Sequence, residues 1–167
     1  MDTQQITKAL HGDDEALVEY LKSISMMLMK TAMGLLGDRD QAKDCISETI
    51  AKVYKHRKQV KQPEFFQTWI IRILINECKN ELKRNHRYIA VPEDFEIPEP
   101  IKEDYGFVKE TLEKLPFDLK QILVLKFFNQ LTFKEISVTL TVPESTIKSR
   151  YALALRKMRV ELEELYD

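Results

Sequence analysis

Residues 141–158, TVPESTIKSRYALALRKM, carry hydroxyls and cations at helical spacing. On a wheel of 3.6 residues per turn, Ser145, Thr146, Ser149 and Arg156 point one way, with Lys148 and Arg150 flanking them. Ile147, Tyr151, Ala154, Leu155, Met158, Leu162 and Leu165 point the other way. Hydroxyls can bond base edges or phosphates, and cations hold the phosphate backbone. The preceding stretch buries Ile136 and Leu140, and Val142 lies in the turn between. Helix, short turn, helix with a polar outer N-terminal end is the pattern that enters a major groove. A helical hairpin with a solvated back is the plainer alternative. Leu153 also points outward, which groove contact does not require.

A second pattern lies in EFFQTWIIRILINECKNELKRNH, residues 64–86. Most of its wheel is apolar. One narrow stripe carries Arg72, Asn76, Lys79, Asn80 and Lys83, and Phe65 and Trp69 fall on the same stripe. Rings beside cations suit single-stranded nucleic acid, because unstacked bases pile on rings while cations follow phosphates. Rings are also ordinary core residues, and composition alone leans that way. In DRDQAKDCISETIAKVYKHR, Ala42, Ile46, Thr49, Ile50 and Val53 form the expected buried stripe. Asp44, Ser47 and Glu48 lie opposite, where a solvated face is the default reading.

The elements that hold these residues are legible from breakers and caps. Three main helices are expected over 13–36, 39–57 and 64–86, with a short one at 3–10. Gly37 ends the first, Asp38 can cap the second with Gln41 three positions on, and Pro63 precedes the third. Four more are expected over 105–114, 116–128, 132–140 and 143–164, with Thr132 and Glu135 at capping-box spacing. Between the groups lies YIAVPEDFEIPEPIKEDYG, where Pro92, Pro98 and Pro100 oppose helix. The fold class is therefore all-α: two helical domains, 1–87 and 105–167, joined by an acidic proline-containing linker, 88–104.

Net charge is −1, but it is unevenly spread. Residues 52–87 hold 10 basic and 3 acidic side chains, while 88–104 hold 1 basic and 6 acidic. A basic block beside an acidic one points to a polyanion-binding surface and a separate tether. No apolar run approaches the ~20 residues that span a bilayer, and the N-terminus lacks the form of a signal peptide, so a cytoplasmic protein is expected. Cys45 and Cys78 stand alone and read as core residues. His11, His56 and His86 have no recognisable catalytic partners and read as surface residues. No enzyme chemistry, metal or cofactor is expected.

Taken in order, these blocks resemble the extracytoplasmic-function (ECF) sigma factors, compact members of the sigma-70 family of bacterial initiation factors. DRDQAKDCISETIAKVY resembles the family's helix that docks on the polymerase clamp. FFQTWIIRILINECKNELKRN resembles its promoter-melting helix, with Trp69, Ile73 and Asn76 at matching positions. LTFKEISVTLTVPESTIKSRYALALRKM resembles its minus-35 signature. The resemblance implies core RNA polymerase as partner, through Asp44, Ser47 and Glu48. It implies minus-10 contact, duplex and single-stranded, through Phe65, Trp69, Arg72, Asn76, Lys79, Asn80 and Lys83, with the loop 60–67 capturing an unstacked base. It implies minus-35 contact through Ser145, Thr146, Lys148, Ser149, Arg150 and Arg156. The family commonly has a membrane-bound anti-sigma factor, and one is expected here. Asn80 and Lys83 stand where members often have Asp and Arg. Thr141 stands where a turn glycine is common, so a positive φ there would strain it. A stand-alone helix-turn-helix regulator and a helical adaptor without DNA are the competing classes. The rings of 65 and 69 argue against the first, and the basic block against the second.

Overall fold

A 23-residue helix near the N-terminus packs against the other three N-terminal helices and against two of the C-terminal ones. The computed structural model describes residues 2–83, Pro98 and 106–166. Among them run eight α-helices and no strand: α1 (Thr3–Leu10), α2 (Asp14–Leu36), α3 (Arg39–His56), α4 (Phe66–Glu81), α5 (Gly106–Glu113), α6 (Phe117–Phe127), α7 (Phe133–Leu140) and α8 (Glu144–Tyr166). The linker 88–104 lies outside the described residues apart from Pro98, as does His86. The helix expected over 64–86 opens with a 3₁₀ turn, Pro63–Phe65, and its α-helical part closes at Glu81.

Local chemistry explains the ends. Asp13 starts α2 by accepting from the Ala16 N–H at 3.0 Å, and Gly37 stops it at φ +67°. Asp38 starts α3 by accepting from the Gln41 N–H at 2.9 Å. Thr132 and Glu135 form a complete capping box at the head of α7: the Thr132 N–H donates to Glu135 Oε2 at 2.7 Å, and the Glu135 N–H to Thr132 Oγ1 at 3.2 Å.

Helices α2, α3 and α4 pack mutually, with α1 against α2. Their core holds Leu17, Leu21, Leu28, Ile46, Ile50, Phe66, Ile70 and Leu74, all fully buried. Tyr20 stacks on Phe66 at 5.0 Å between centroids, and burial pushes its hydroxyl up to about 12. Cys45 and Cys78 are free and buried, as expected of core residues. The Cys45 thiol beside it, then burial, hold the Cys78 thiol well above its usual value. Buried Glu77 on α4 is paired with Lys52 on α3, and buried Arg57 with Asp14.

In the C-terminal group α6 is the inner helix. It is buried from Leu119 to Leu125 and serves two cores at once. Leu119 and Leu123 pack with Leu112, Leu115 and Ala154. Ile122, Val124 and Leu125 instead join the N-terminal core, together with Leu131, Ile136 and Ile147. The two helical groups thus share one apolar core.

Candidate nucleic-acid interface

Helix α8 is fixed to its domain by a narrow strip. Ile147 and Ala154 are fully buried, and the Tyr151 ring meets the edge of Phe133 at 5.1 Å. Opposite that strip, Ser145, Lys148, Ser149 and Arg156 are exposed, and Thr146 and Arg150 are half-buried. The six predicted residues therefore do lie off the buried side of one helix. The Ser149 hydroxyl donates to the Thr146 carbonyl at 3.0 Å, so its lone pairs remain open to an outside donor. Lys148 pairs with Glu144 one turn back at 3.2 Å, an exposed contact that a phosphate can replace at small cost.

Leu155 departs from the expected buried face and is 39% exposed. It sits about 80° round the helix from Ile147, at the edge of the buried arc. The side chains of Leu162 and Leu165 lie outside the described residues.

The turn that aims α8 is strained where the sequence suggested it would be. Thr141 adopts φ +56°, ψ +48°, the left-handed region that β-branched residues avoid. Backbone and side-chain bonds hold it there. The Val142 N–H donates to the Ser137 carbonyl at 3.1 Å, and the Ser137 hydroxyl donates to the Val142 carbonyl at 2.6 Å.

On α4 the predicted stripe is continuous. Arg72, Asn76, Lys79 and, just past the helix end, Lys83 are exposed, and Asn80 is half-buried. The two rings differ. Phe65, in the 3₁₀ turn, is 49% exposed. Trp69 is half-buried and lies near-parallel on Phe66, centroids 5.9 Å apart at 20°. The column Tyr20–Phe66–Trp69 therefore runs from the core to the rim, and Trp69 is both structural support and surface. The stripe offers a ring, cations and amides on one line, which suits stacked bases and their phosphates.

The acidic face of α3 needs correction. Its predicted buried stripe is buried, but Ser47, placed opposite it, is only 8% exposed and donates to the Lys43 carbonyl at 2.9 Å. Asp44 and Glu48 are half-buried rather than open. The reason is that α3 packs against both α2 and α4, so its covered arc is wider than one stripe. Glu48 Oε2 is buried and finds no hydrogen-bond partner among the described residues. Such an atom carries an uncompensated desolvation cost.

One surface was missed by pattern reading. Phe127, Phe128 and Leu155 are exposed and line an apolar groove of about 310 Å³ between α5, α6 and α8. The doubled phenylalanine at 127–128 was the only sequence signal. No helix among the described residues is long and apolar enough to cross a membrane.

Comparison with known proteins follows the same division. The family model "Sigma-70 region 2" matches residues 22–88, and "Sigma-70, region 4" matches 108–158. The RNA polymerase sigma factor SigV of Bacillus subtilis is 28% identical over 166 residues, covering 97% of this chain and 96% of that protein. The RNA polymerase sigma-H factor of Pseudomonas aeruginosa is 25% identical, covering 89% of this chain and 87% of that one. The ECF sigma factor SigW of B. subtilis is 21% identical over 99% of this chain and 98% of its own. Among solved structures, CnrH in complex with the cytosolic domain of CnrY superposes with a TM-score of 0.78 at 16% identity, covering 98% and 97%. The sigma factor RpoE of Bartonella quintana, in complex with the anti-sigma factor NepR, gives 0.70 at 18%, covering 87% and 95%.

Proposed function

The chain belongs to the ECF class of the sigma-70 family, and from that membership we propose how its surfaces divide the work of promoter recognition. As a sigma factor it directs core RNA polymerase to promoters. The polymerase carries the chemistry, so no catalytic role falls to this chain. The region to residue 87 binds core polymerase and the minus-10 element, 88–104 is the tether, and 105–167 reads the minus-35 element. Contact with the clamp runs through Asp44 and Glu48; buried Ser47 serves only to pack α3.

On α8, Ser145, Thr146 and Ser149 read bases, while Lys148, Arg150 and Arg156 hold phosphates. On α4, Phe65 and Trp69 support unstacked bases, and Arg72, Asn76, Lys79, Asn80 and Lys83 follow the strand. The observation that carries this reading is the order of the two region models, each falling on a helical group that turns its polar stripe outward. Work beside the chromosome places the protein in the cytoplasm. An anti-sigma factor is the expected inhibitor, since one structural relative was solved with such a protein.

Co-elution with core polymerase, followed by footprinting of the pair on a promoter library, tests the function. Protection of DNA by the protein without polymerase would instead support a stand-alone regulator.

A further inference from the structure

The loop that joins α3 to α4 repeats every three residues. Arg57 is buried, Val60 and Pro63 are half-buried, and Phe66 is fully buried. Between them Lys58 with Gln59, Lys61 with Gln62, and Glu64 with Phe65 are exposed. A 3₁₀ turn has three residues per turn, so every third side chain falls on one side. Two such turns, Arg57–Gln59 and Pro63–Phe65, produce the pattern. The Val60 N–H donates to the Arg57 carbonyl at 3.1 Å, and the Phe65 N–H to the Gln62 carbonyl at 3.1 Å. The loop thus turns polar pairs and one ring outward from a row of inward anchors.

Three of those anchors are apolar, and the first is not. Arg57 pairs with Asp14 at the start of α2, and its guanidinium lies over the Tyr54 ring, 5.3 Å from the centroid. Its Nε is buried and finds no hydrogen-bond partner among the described residues. The Asp14 side chain is 70% exposed. A buried cation with one open carboxylate and an idle donor is a poor source of stability, because desolvation offsets most of the attraction. It is a good source of direction, because the planar guanidinium bonds only where its fork points. Helix α1 supports the same loop by packing against both 3₁₀ turns. Gly12, at φ +111°, brings the α1–α2 turn close to it: a Cβ there would lie 3.4 Å from Lys58 Cε. Asp14, α1 and Gly12 all precede residue 22, where the region 2 match begins. The start of the chain therefore holds a loop that belongs to the matched region.

We propose that Arg57 is a positioning residue for minus-10 recognition: tied to Asp14 and set over Tyr54, it fixes the loop so that Lys61 and Gln62 meet an unstacked base in one geometry. The inference rests on the reading of loop 60–67 as the captor of such a base, and it names what sets the selectivity of that capture. A loop held in place before DNA arrives does not yield to fit a wrong base. A loop freed at Arg57 still carries its lysines, which attract phosphates whatever the sequence. Release should therefore lower discrimination between bases more than it lowers affinity.

The test uses the full chain with core polymerase and two promoter libraries, one randomised at minus 10 and one at minus 35. Arg57→Met keeps the bulk of the side chain and removes both of its contacts. An apolar side chain of similar size suits a buried site, so its thermal stability should hold. Asp14→Asn removes the carboxylate from an exposed position, and it decides alone should Arg57→Met fail to fold. In both variants, preference at one minus-10 position should fall about ten-fold, the scale of a single mismatched base, while minus-35 preference stays as in wild type. Asp14→Glu keeps the carboxylate and should select like wild type. Gln62→Ala, at the loop tip, should alter the same minus-10 position. Unchanged minus-10 selection in Arg57→Met and Asp14→Asn, beside an altered one in Gln62→Ala, overturns the tie and leaves the loop as reader. Equal loosening at minus 10 and minus 35 makes Arg57 a residue of the fold alone and overturns it too. If Gln62→Ala and Lys61→Ala both leave selection intact, the loop reads no base, and the proposal falls with that reading.

Discussion

Helices α4 and α8 are both proposed to meet DNA, and they are held in opposite ways. Helix α8 rests on the strip Ile147, Tyr151 and Ala154, and most of its polar side is open. Helix α4 is buried on most of its circumference by Phe66, Ile70, Ile71, Leu74, Ile75 and Cys78. Its working stripe is what remains, and Trp69 belongs to both parts. On α8, therefore, function and stability are separable by single substitutions. On α4 they are not. A helix that stabilises melted DNA must hold rings rigidly at its rim, and rigidity there comes from stacking on the core.

The largest effect should come from Trp69→Ala. Losing the contact with Phe66 should cost about 2–3 kcal/mol of unfolding free energy, below the 3–5 typical of a fully buried ring. Permanganate reactivity of the minus-10 strand should fall more than initial promoter binding does. Phe65→Ala should show the same melting defect with almost no loss of stability, because that ring is open. Equal stability losses at 65 and 69 would erase the contrast between core-backed and free rings.

Substitutions on the polar side of α8 should be silent in thermal denaturation, within about 0.5 kcal/mol. Ser149→Ala should change base preference at one or two minus-35 positions, by about 1–2 kcal/mol of discrimination. Arg150→Ala should weaken all sites alike, because a phosphate contact carries no sequence information. Selection from a randomised promoter library reads both at once. An unaltered preference in Ser149→Ala would remove the base-reading role from that side chain.

The clamp face of α3 offers a third behaviour, between these two. Glu48→Gln keeps the shape but replaces a carboxylate oxygen that is buried without a partner. Stability should hold or rise by about 1 kcal/mol, while affinity for core polymerase falls. Chemical denaturation and a polymerase pull-down measure the two together. A loss of stability with normal binding would make Glu48 a structural residue.

Much of this arrangement was readable in the sequence because its signals are local. Asp13, Gly37, Asp38, Pro63 and the Thr132–Glu135 pair fix helix ends through bonds made within a few residues, and the ends lie close to where they were expected. The strain at Thr141 was legible for the same reason. What was not legible depends on partners distant in sequence. Nothing around Arg57 says that Asp14 will pair with it. Ser47 looks open on a wheel that knows one neighbour, and is closed once α2 and α4 both flank α3. Leu155 looks buried on a face that its domain only partly covers. The linker's six acidic residues lie outside the described residues, so their proposed role rests on sequence alone.

The strained turn gives a smaller and cleaner test of how α8 is presented. Thr141→Gly should stabilise the C-terminal domain by about 0.5–1 kcal/mol, since relief of left-handed strain exceeds the entropy cost of glycine. Thermal denaturation measures it. Minus-35 preference should not move, because Ser137 and the Val142 backbone still close the turn. A shifted preference would mean that the threonine aims the recognition helix rather than merely tolerating its turn.

The smallest effect expected concerns the cap of α7. The Thr132 backbone N–H, then its hydroxyl, hold the Glu135 carboxyl below its usual value. A carboxylate depressed on folding contributes stability that is present above its unfolded value near 4.3 and is lost as pH falls through the lower folded value. Glu135 is exposed, so solvent screening should leave this contribution at a few tenths of a kcal/mol. Glu135→Gln keeps an acceptor for the Thr132 N–H but removes the charge. Its stability should therefore lie slightly below wild type at pH 7, and the gap should close on acidification below about pH 4. Denaturant titrations at both pH values measure that gap. A gap that persists at low pH would trace the loss to geometry of the capping box rather than to charge. The cap would then act on α7, and through it on the turn before α8, as a purely steric fixture.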